Sequence, residues 1–281
     1  MLFRSLEGVW IGTTLPLAGL TLTAVAGWVR RGAASHEQRI QIEKLLGQST
    51  SPAVARQLWE QRDTLLADGR FEGRQLPVTV IFSDLRNFTS VSERLTPAAL
   101  LAWINRGMAC CVPAIIRRHG MVNKFTGDGM MAVFGAPLSQ GPQQDARDAL
   151  ASLLEIRSGM EALNRQLEAE GEPAMRMRLG VHSGMVLAGS MGSSERLEYA
   201  IMGDTVNCAS RIEGLEKERH EGICRILVSG ETFALLYPEG PGHDGLSWRC
   251  WGAHQVKGRQ EPLEIWELRE GAAPSHSRER S

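Results

Sequence analysis

The stretch Met121-Val122-Asn123-Lys124-Phe125-Thr126-Gly127-Asp128-Gly129-Met130-Met131-Ala132-Val133-Phe134 decides the fold. Two short apolar runs flank Gly-Asp-Gly, and glycine accepts the positive φ that a tight hairpin requires. The segment therefore predicts strands over Met121-Thr126 and Met130-Phe134, joined at Gly127-Asp128-Gly129. Upstream, Val78-Phe82 reads as a buried strand ending at Ser83-Asp84, and Pro97-Arg118 as a helix. Downstream, Asp145-Glu170 reads as a helix, and Arg176-His182 with Met185-Ala188 as a second hairpin around Ser183-Gly184. A strand at Glu198-Ile201, a helix over Thr205-Lys217 and strands near Arg225-Val228, Val256-Lys257 and Leu263-Leu268 close the domain. The β-α-β-β-α-β opening predicts an α+β fold. Its ferredoxin-like, antiparallel-rich sheet carries helices on one face, unlike a doubly wound parallel sheet.

The rest of the chain sets this domain in context. A length of 281 residues fits one or two domains, and 43% hydrophobic against 22% charged residues excludes global disorder. Lys plus Arg number 31 and Asp plus Glu 32, a net charge of -1, which argues against a nucleic-acid binder working through a broad basic field. Five cysteines contain no C-x-x-C and cannot all pair, so a reducing compartment fits better than a disulfide framework.

Val9 to Val29 is a run of 21 residues without a formal charge, about 31 Å long as a helix. Trp10 and Trp28 sit near its ends and Arg30-Arg31 follow. This predicts a single-pass anchor over residues 1–31 in the cytoplasmic (inner) membrane, with the C-terminal bulk in the cytoplasm. A signal peptide cleaved near Ala24-Val25-Ala26 and a buried core helix are the competing readings. Residues 32–76 read as a helical connector, with Ser51 as an N-cap and Pro52 at the first helical position. It is either a solvated linker or a parallel helix pair passing a signal to the domain. The domain then occupies 77–269, and 270–281 form a polar tail.

Asp84 ends one strand, and Asp128 sits in the tip of the hairpin beside it. Two converging carboxylates suit Mg²⁺ or Mn²⁺, and two such ions would bind a triphosphate and activate a hydroxyl. An aspartate after a strand is also an ordinary cap, and one in Gly-Asp-Gly an ordinary turn residue. Spacing alone leaves both readings open.

Four motifs in order narrow the choice. Phe82-Ser83-Asp84-Leu85-Arg86-Asn87-Phe88-Thr89 resembles the first metal motif of the class III nucleotidyl cyclases, and Asn123-Lys124-Phe125-Thr126-Gly127-Asp128-Gly129 their second. Gly203-Asp204-Thr205-Val206-Asn207-Cys208-Ala209-Ser210-Arg211 is similar to the family's G-x-x-V-N-x-A-x-R element, and Val256-Lys257-Gly258 to its V-K-G. The resemblance implies that Asp84 and Asp128 hold two divalent metal ions, that Asn207 orients the ribose and that Arg211 stabilises the transition state at the α-phosphate. A planar guanidinium suits that last role, since it engages two phosphate oxygens at once. Lys257 would meet the terminal phosphates, with Arg178 in support. Lys124 matches the adenine-selecting lysine: a group that only donates suits adenine N1 and opposes the N1-H of guanine. Ala200, its partner position, departs from the usual Asp or Thr, so the adenine amino group must find a backbone carbonyl, a water or Lys124 alone.

The resemblance thus implies an adenylyl cyclase: ATP to cyclic AMP and pyrophosphate, in a homodimer whose sites are divided between protomers. Asp84 and Asp128 would come from one chain and Lys124, Asn207, Arg211 and Lys257 from the other. A guanylyl or less selective purine nucleotide cyclase and a non-catalytic cyclase-like regulator are the alternatives. A diguanylate cyclase would show a GGDEF-like hairpin where this chain has Thr126-Gly127-Asp128-Gly129-Met130. His182 is read as structural, since nothing in the set requires an imidazole.

Overall fold

The computed structural model describes residues 70–269 except 194, 195, 220, 221, 241–244, 258 and 260, with short stretches before them (2–4, 10–12, 23, 57, 58 and 60–67). Residues 1–45 and 46–281 are separate compact units.

In the first unit Leu2–Arg4 pairs antiparallel with Trp10–Gly12. Trp10–Gly12 is therefore strand where the sequence predicted the start of a membrane helix, and Thr23 is helical. The other residues of the 9–29 span lie outside the described residues, as do the Ser51-Pro52 helix start and the 270–281 tail. Of the connector, Arg62–Leu65 is helical, and a two-residue ladder of Leu66–Ala67 with Arg70–Phe71 follows it.

The second unit holds the predicted opening. Strand β1 (Arg74–Leu85) leads through α1 (Phe88–Ser92) to α2 (Pro97–Arg117), then to β2 (Met121–Thr126), β3 (Gly129–Phe134), α3 (Pro142–Glu170) and β4 (Met177–Gly192). Thr96 caps α2 by accepting the Ala99 N–H at 3.3 Å, with Pro97 at the first helical position. Gly171, at φ 72°, stops α3 in the left-handed conformation. Beyond them lie β5 (Leu197–Met202), α4 (Asp204–Glu213), β6 (Cys224–Ser229), α5 (Gly230–Leu236), β7 (Trp248–His254) and β8 (Leu263–Leu268). The strand order is β7-β8-β6-β4-β1-β3-β2, with β5 on β4. All pairs in this sheet are antiparallel except β4 with β6, so the sheet is mixed.

Three expectations are corrected. Ser183-Gly184 is not a turn: it lies inside the sixteen-residue strand β4, where Gly184 pairs with Val78. Val256-Lys257 is loop between β7 and β8, not strand. The helices do not share one face. Leu179 and Val181 of β4 pack with Trp103, Leu153 and Ile156 of α2 and α3, while the other face carries α4, packed through Cys208 and Ile212 on Leu227, Leu263 and Ile265. Among the described residues one helix, α2, is long and apolar enough to cross a membrane, but its Trp103, Cys111, Ala114 and Ile115 are buried in this core.

Candidate active site

Asp84 is the penultimate residue of β1 and stands opposite Arg178 of β4. The β2–β3 turn is pressed onto the same strand end. The Met130 N–H donates to Ser83 Oγ at 3.1 Å, and a Cβ on Gly129 would fall 1.9 Å from the Ser83 carbonyl oxygen. Only glycine lets the hairpin close there, and Gly127 takes φ 76° to turn it. Asp128 is thereby laid beside Asp84. Burial first, then the Asp84 carboxylate, pushes the Asp128 carboxyl up to about 6, against backbone N–H groups, including that of Leu85, which favour the ionised form.

This donor set fits divalent cations. Two like charges converge where a cation would relieve them, and both donors are hard oxygens. No group of three or more His, Cys, Asp or Glu able to hold a metal occurs among the described residues. The chain thus offers two carboxylates, the number a Mg²⁺ site uses when substrate phosphates and water complete its shell.

Arg178 is placed differently from the expectation. It is buried, ion-paired to Asp84, and its Nε donates to Glu213 Oε1 at 2.7 Å. The Arg178 guanidinium is thus held between the Asp84 and Glu213 carboxylates. Glu213 went unnoticed in the sequence. Its signal was a carboxylate completing the buried stripe Ala209, Ile212, Glu213 on α4.

Asn207 is exposed and Arg211 half-buried, and both lie on α4. Around a helix they stand roughly 40° apart, while Glu213 stands roughly 120° from Asn207 and roughly 160° from Arg211. Since Glu213 faces Arg178 and through it Asp84, Asn207 and Arg211 of the same chain face away from Asp84. The predicted groups thus form two sets, not one.

Val256 is 1% exposed and packs with Cys208 and Ile212 of α4, which leaves Lys257 exposed on the adjoining loop. Arg259 ties the same loop down, with Nε 3.6 Å from Asp204 Oδ2 and a terminal nitrogen 3.5 Å from Glu231 Oε1. Lys124 is exposed beside a bulge between Val122 and Lys124. The intervening Asn123 donates Nδ2–H to the Tyr199 carbonyl at 3.0 Å, bringing the Lys124 strand to the strand of Ala200. Ala200 is buried and paired with Gly189. His182 is buried with Nδ1 2.8 Å from Ser229 Oγ, and burial lowers its pKa, in keeping with a structural role.

The adenylate and guanylate cyclase catalytic domain model matches residues 72–269. Adenylate cyclase 1 of Rhizobium meliloti (strain 1021) is 32% identical over 206 residues, covering 72% of this chain and 29% of that protein. The adenylyl cyclase CyaB from P. aeruginosa superposes with a TM-score of 0.63 at 32% identity, over 72% of this chain and 98% of that structure. The guanylyl cyclase Cya2 gives 0.61 at 31% identity, over 73% and 97%. The chain spans about a third of the length of the curated relatives it matches.

Proposed function

The chain belongs to the adenylate and guanylate cyclase catalytic domain family, and on that premise we propose that it converts ATP to 3′,5′-cyclic AMP and pyrophosphate as a homodimer with divided sites. The observation that carries the division is the orientation of α4, which turns Asn207 and Arg211 away from the Asp84 of their own chain. A second chain would supply the missing half. A surface for it is at hand: Met185 (52% exposed) and Leu187 on β4, with Met202 of β5 paired to Leu187. Exposed apolar groups clustered in this way favour contact with another protein surface.

In this reading Asp84 and Asp128 of one chain would hold two divalent ions, whose charge would offset that of the phosphates and favour loss of the ribose 3′-hydroxyl proton to solvent. Asn207 of the partner chain orients the ribose so that its 3′-oxygen attacks the α-phosphorus in line with the leaving pyrophosphate. Arg211 binds the charge that develops on the α-phosphoryl oxygens, and Lys257 holds the terminal phosphates. Arg178, fixed by Glu213, keeps the Asp84 carboxylate in position. Lys124 donates to adenine N1.

A guanylyl cyclase is the second reading, favoured by one observation: Ala200 presents a methyl group where an acceptor would read the adenine amino group. Cyclic nucleotide formation from ATP and from GTP, each with Mn²⁺ and with Mg²⁺, tests both. Cyclic AMP is expected in excess. Cyclic GMP in excess would replace the first reading by the second, and no product from either nucleotide would end both. Membrane attachment through the uncharged run of residues 9–29 rests on its composition. Its test is co-flotation of the full chain with lipid vesicles, lost when that run is deleted.

A further inference from the structure

We propose that Arg225 is a positioning residue for this reaction: it holds the C-terminal end of α4 and the turn that follows, and so Arg211, through backbone carbonyls. The inference rests on the cyclase reading, since its effect on the reaction is exerted through Arg211.

A helix end leaves carbonyls without partners, and a left-handed glycine commonly closes it. Here Gly214 has φ -78° and does not serve in that way. Instead Arg225 reaches across from β6. One terminal nitrogen donates to the Glu213 carbonyl at 2.9 Å, and the other to the carbonyls of Glu216 at 2.7 Å and Arg219 at 2.6 Å. The residue is 2% exposed, and its cation also meets the negative end of the helix dipole. Trp251 floors the arrangement, with the Arg219 guanidinium 4.5 Å and that of Arg225 5.9 Å from its ring centre.

Arg225 stands opposite Arg178 in the parallel β4–β6 register, so both guanidinia lie on the α4 face. Arg178 takes the Glu213 carboxylate and Arg225 its carbonyl. Burial, and after it the neighbouring Arg178, pushes the Arg225 guanidinium below its usual range. Two adjacent buried cations are a costly way to end a helix, and what they fix in common is the turn that ends two residues after Arg211. Asn207 lies further back, between the buried Thr205 and Cys208, and depends less on that end.

The full chain is used for the test, with Arg225→Met, which removes every donor, and Arg225→Lys, which keeps the charge and fewer bonds. Arg225→Met is expected to lower kcat about 10²-fold while the KM for ATP changes less than about threefold, as misplacement by about 1 Å does to a transition-state group. Arg225→Lys is expected to recover about tenfold of that loss, as a point charge can meet some of the carbonyls. Amide hydrogen exchange over residues 208–219 should quicken in the Met variant while β1 and β4 keep their protection. A folded Met variant with wild-type kcat overturns the proposal, as does a Lys variant no better than Met. Should Arg225→Met not fold, Arg225→Lys decides: kcat reduced about tenfold at unchanged KM supports the proposal, and wild-type kcat overturns it. A wild-type chain that makes no cyclic nucleotide would end the parent reading, while the exchange pattern would still report whether Arg225 holds the turn.

Discussion

The proposed divided site makes a quantitative demand on mixtures of inactive chains. Asp84→Ala removes one of the two carboxylates proposed to hold metal, and Arg178 keeps Glu213 as a partner at 2.7 Å, so the fold should survive. Arg211→Ala touches a half-exposed side chain on the outward face of α4. Each variant homodimer has both sites broken and should lose at least about 10²-fold in kcat, the usual loss for a single transition-state donor. In an equal mixture with free exchange, half of the dimers carry one chain of each kind. Every such heterodimer has one site built from the intact Asp84 of one chain and the intact Arg211 of the other, and one site broken twice. Half the dimers with half their sites working gives about one quarter of the wild-type rate at equal total chain. The assay is cyclic AMP formation after mixing, with differently tagged chains co-purified to count heterodimers. If the Asp84 and Arg211 of one chain served the same site, each heterodimer site would lack one group and no activity would return. Confirmed heterodimers as inactive as the single variants would therefore refute the division and the reading of α4 behind it.

Further outcomes follow from the same geometry. Arg178→Met leaves Asp84 and Glu213 facing each other without a cation in a buried place, and should cost about 3–5 kcal/mol in urea unfolding; adding Glu213→Leu should return much of that stability but no activity, and a single variant as stable as wild type would contradict the pairing. The raised pKa of Asp128 means that the folded chain binds its proton more tightly than the unfolded chain, so its stabilising contribution is complete below the ordinary aspartate range and is lost as pH rises through about 6. In metal-free buffer Asp128→Asn should thus raise the thermal midpoint more at pH 7.5 than at pH 4, and an equal gain at both would show that neither burial nor Asp84 raises the Asp128 pKa. Lys124→Glu should lower the ratio of kcat/KM for ATP over GTP at least about tenfold in a competition assay, since a donor facing the purine is replaced by an acceptor; an unchanged ratio would remove Lys124 from base recognition.

The hairpin, both long helices of the opening and the α+β class were legible because local signals set them: Gly127 at positive φ, the Thr96-Pro97 cap and Gly171 as a stop. The pair Asp84 and Asp128 was legible as well, because a strand end and a hairpin tip are local features that the β1–β3 pairing then joins. Glu213 and Arg225 were not, since their partners lie 35 residues and 6 to 12 residues away, and only the packed α4 brings them together. The misread turn at Ser183-Gly184 has the same origin. A Cβ on Gly180 would lie 2.2 Å from the Glu213 nitrogen, and one on Gly184 2.7 Å from Thr205 Oγ1. These glycines are four residues apart on one face of β4, roughly 13 Å of strand, and Thr205 to Glu213 is roughly 12 Å of helix. The two glycines therefore mark where α4 lies flat on the strand, with no room for a side chain beneath either end. Glycine in an apolar run signals either a turn or a close approach of backbone, and only the helix that crosses it distinguishes the two. That close approach also lowers Glu213 onto Arg178, so the feature that hid the strand from sequence reading is the one that ties α4 to the Asp84 carboxylate.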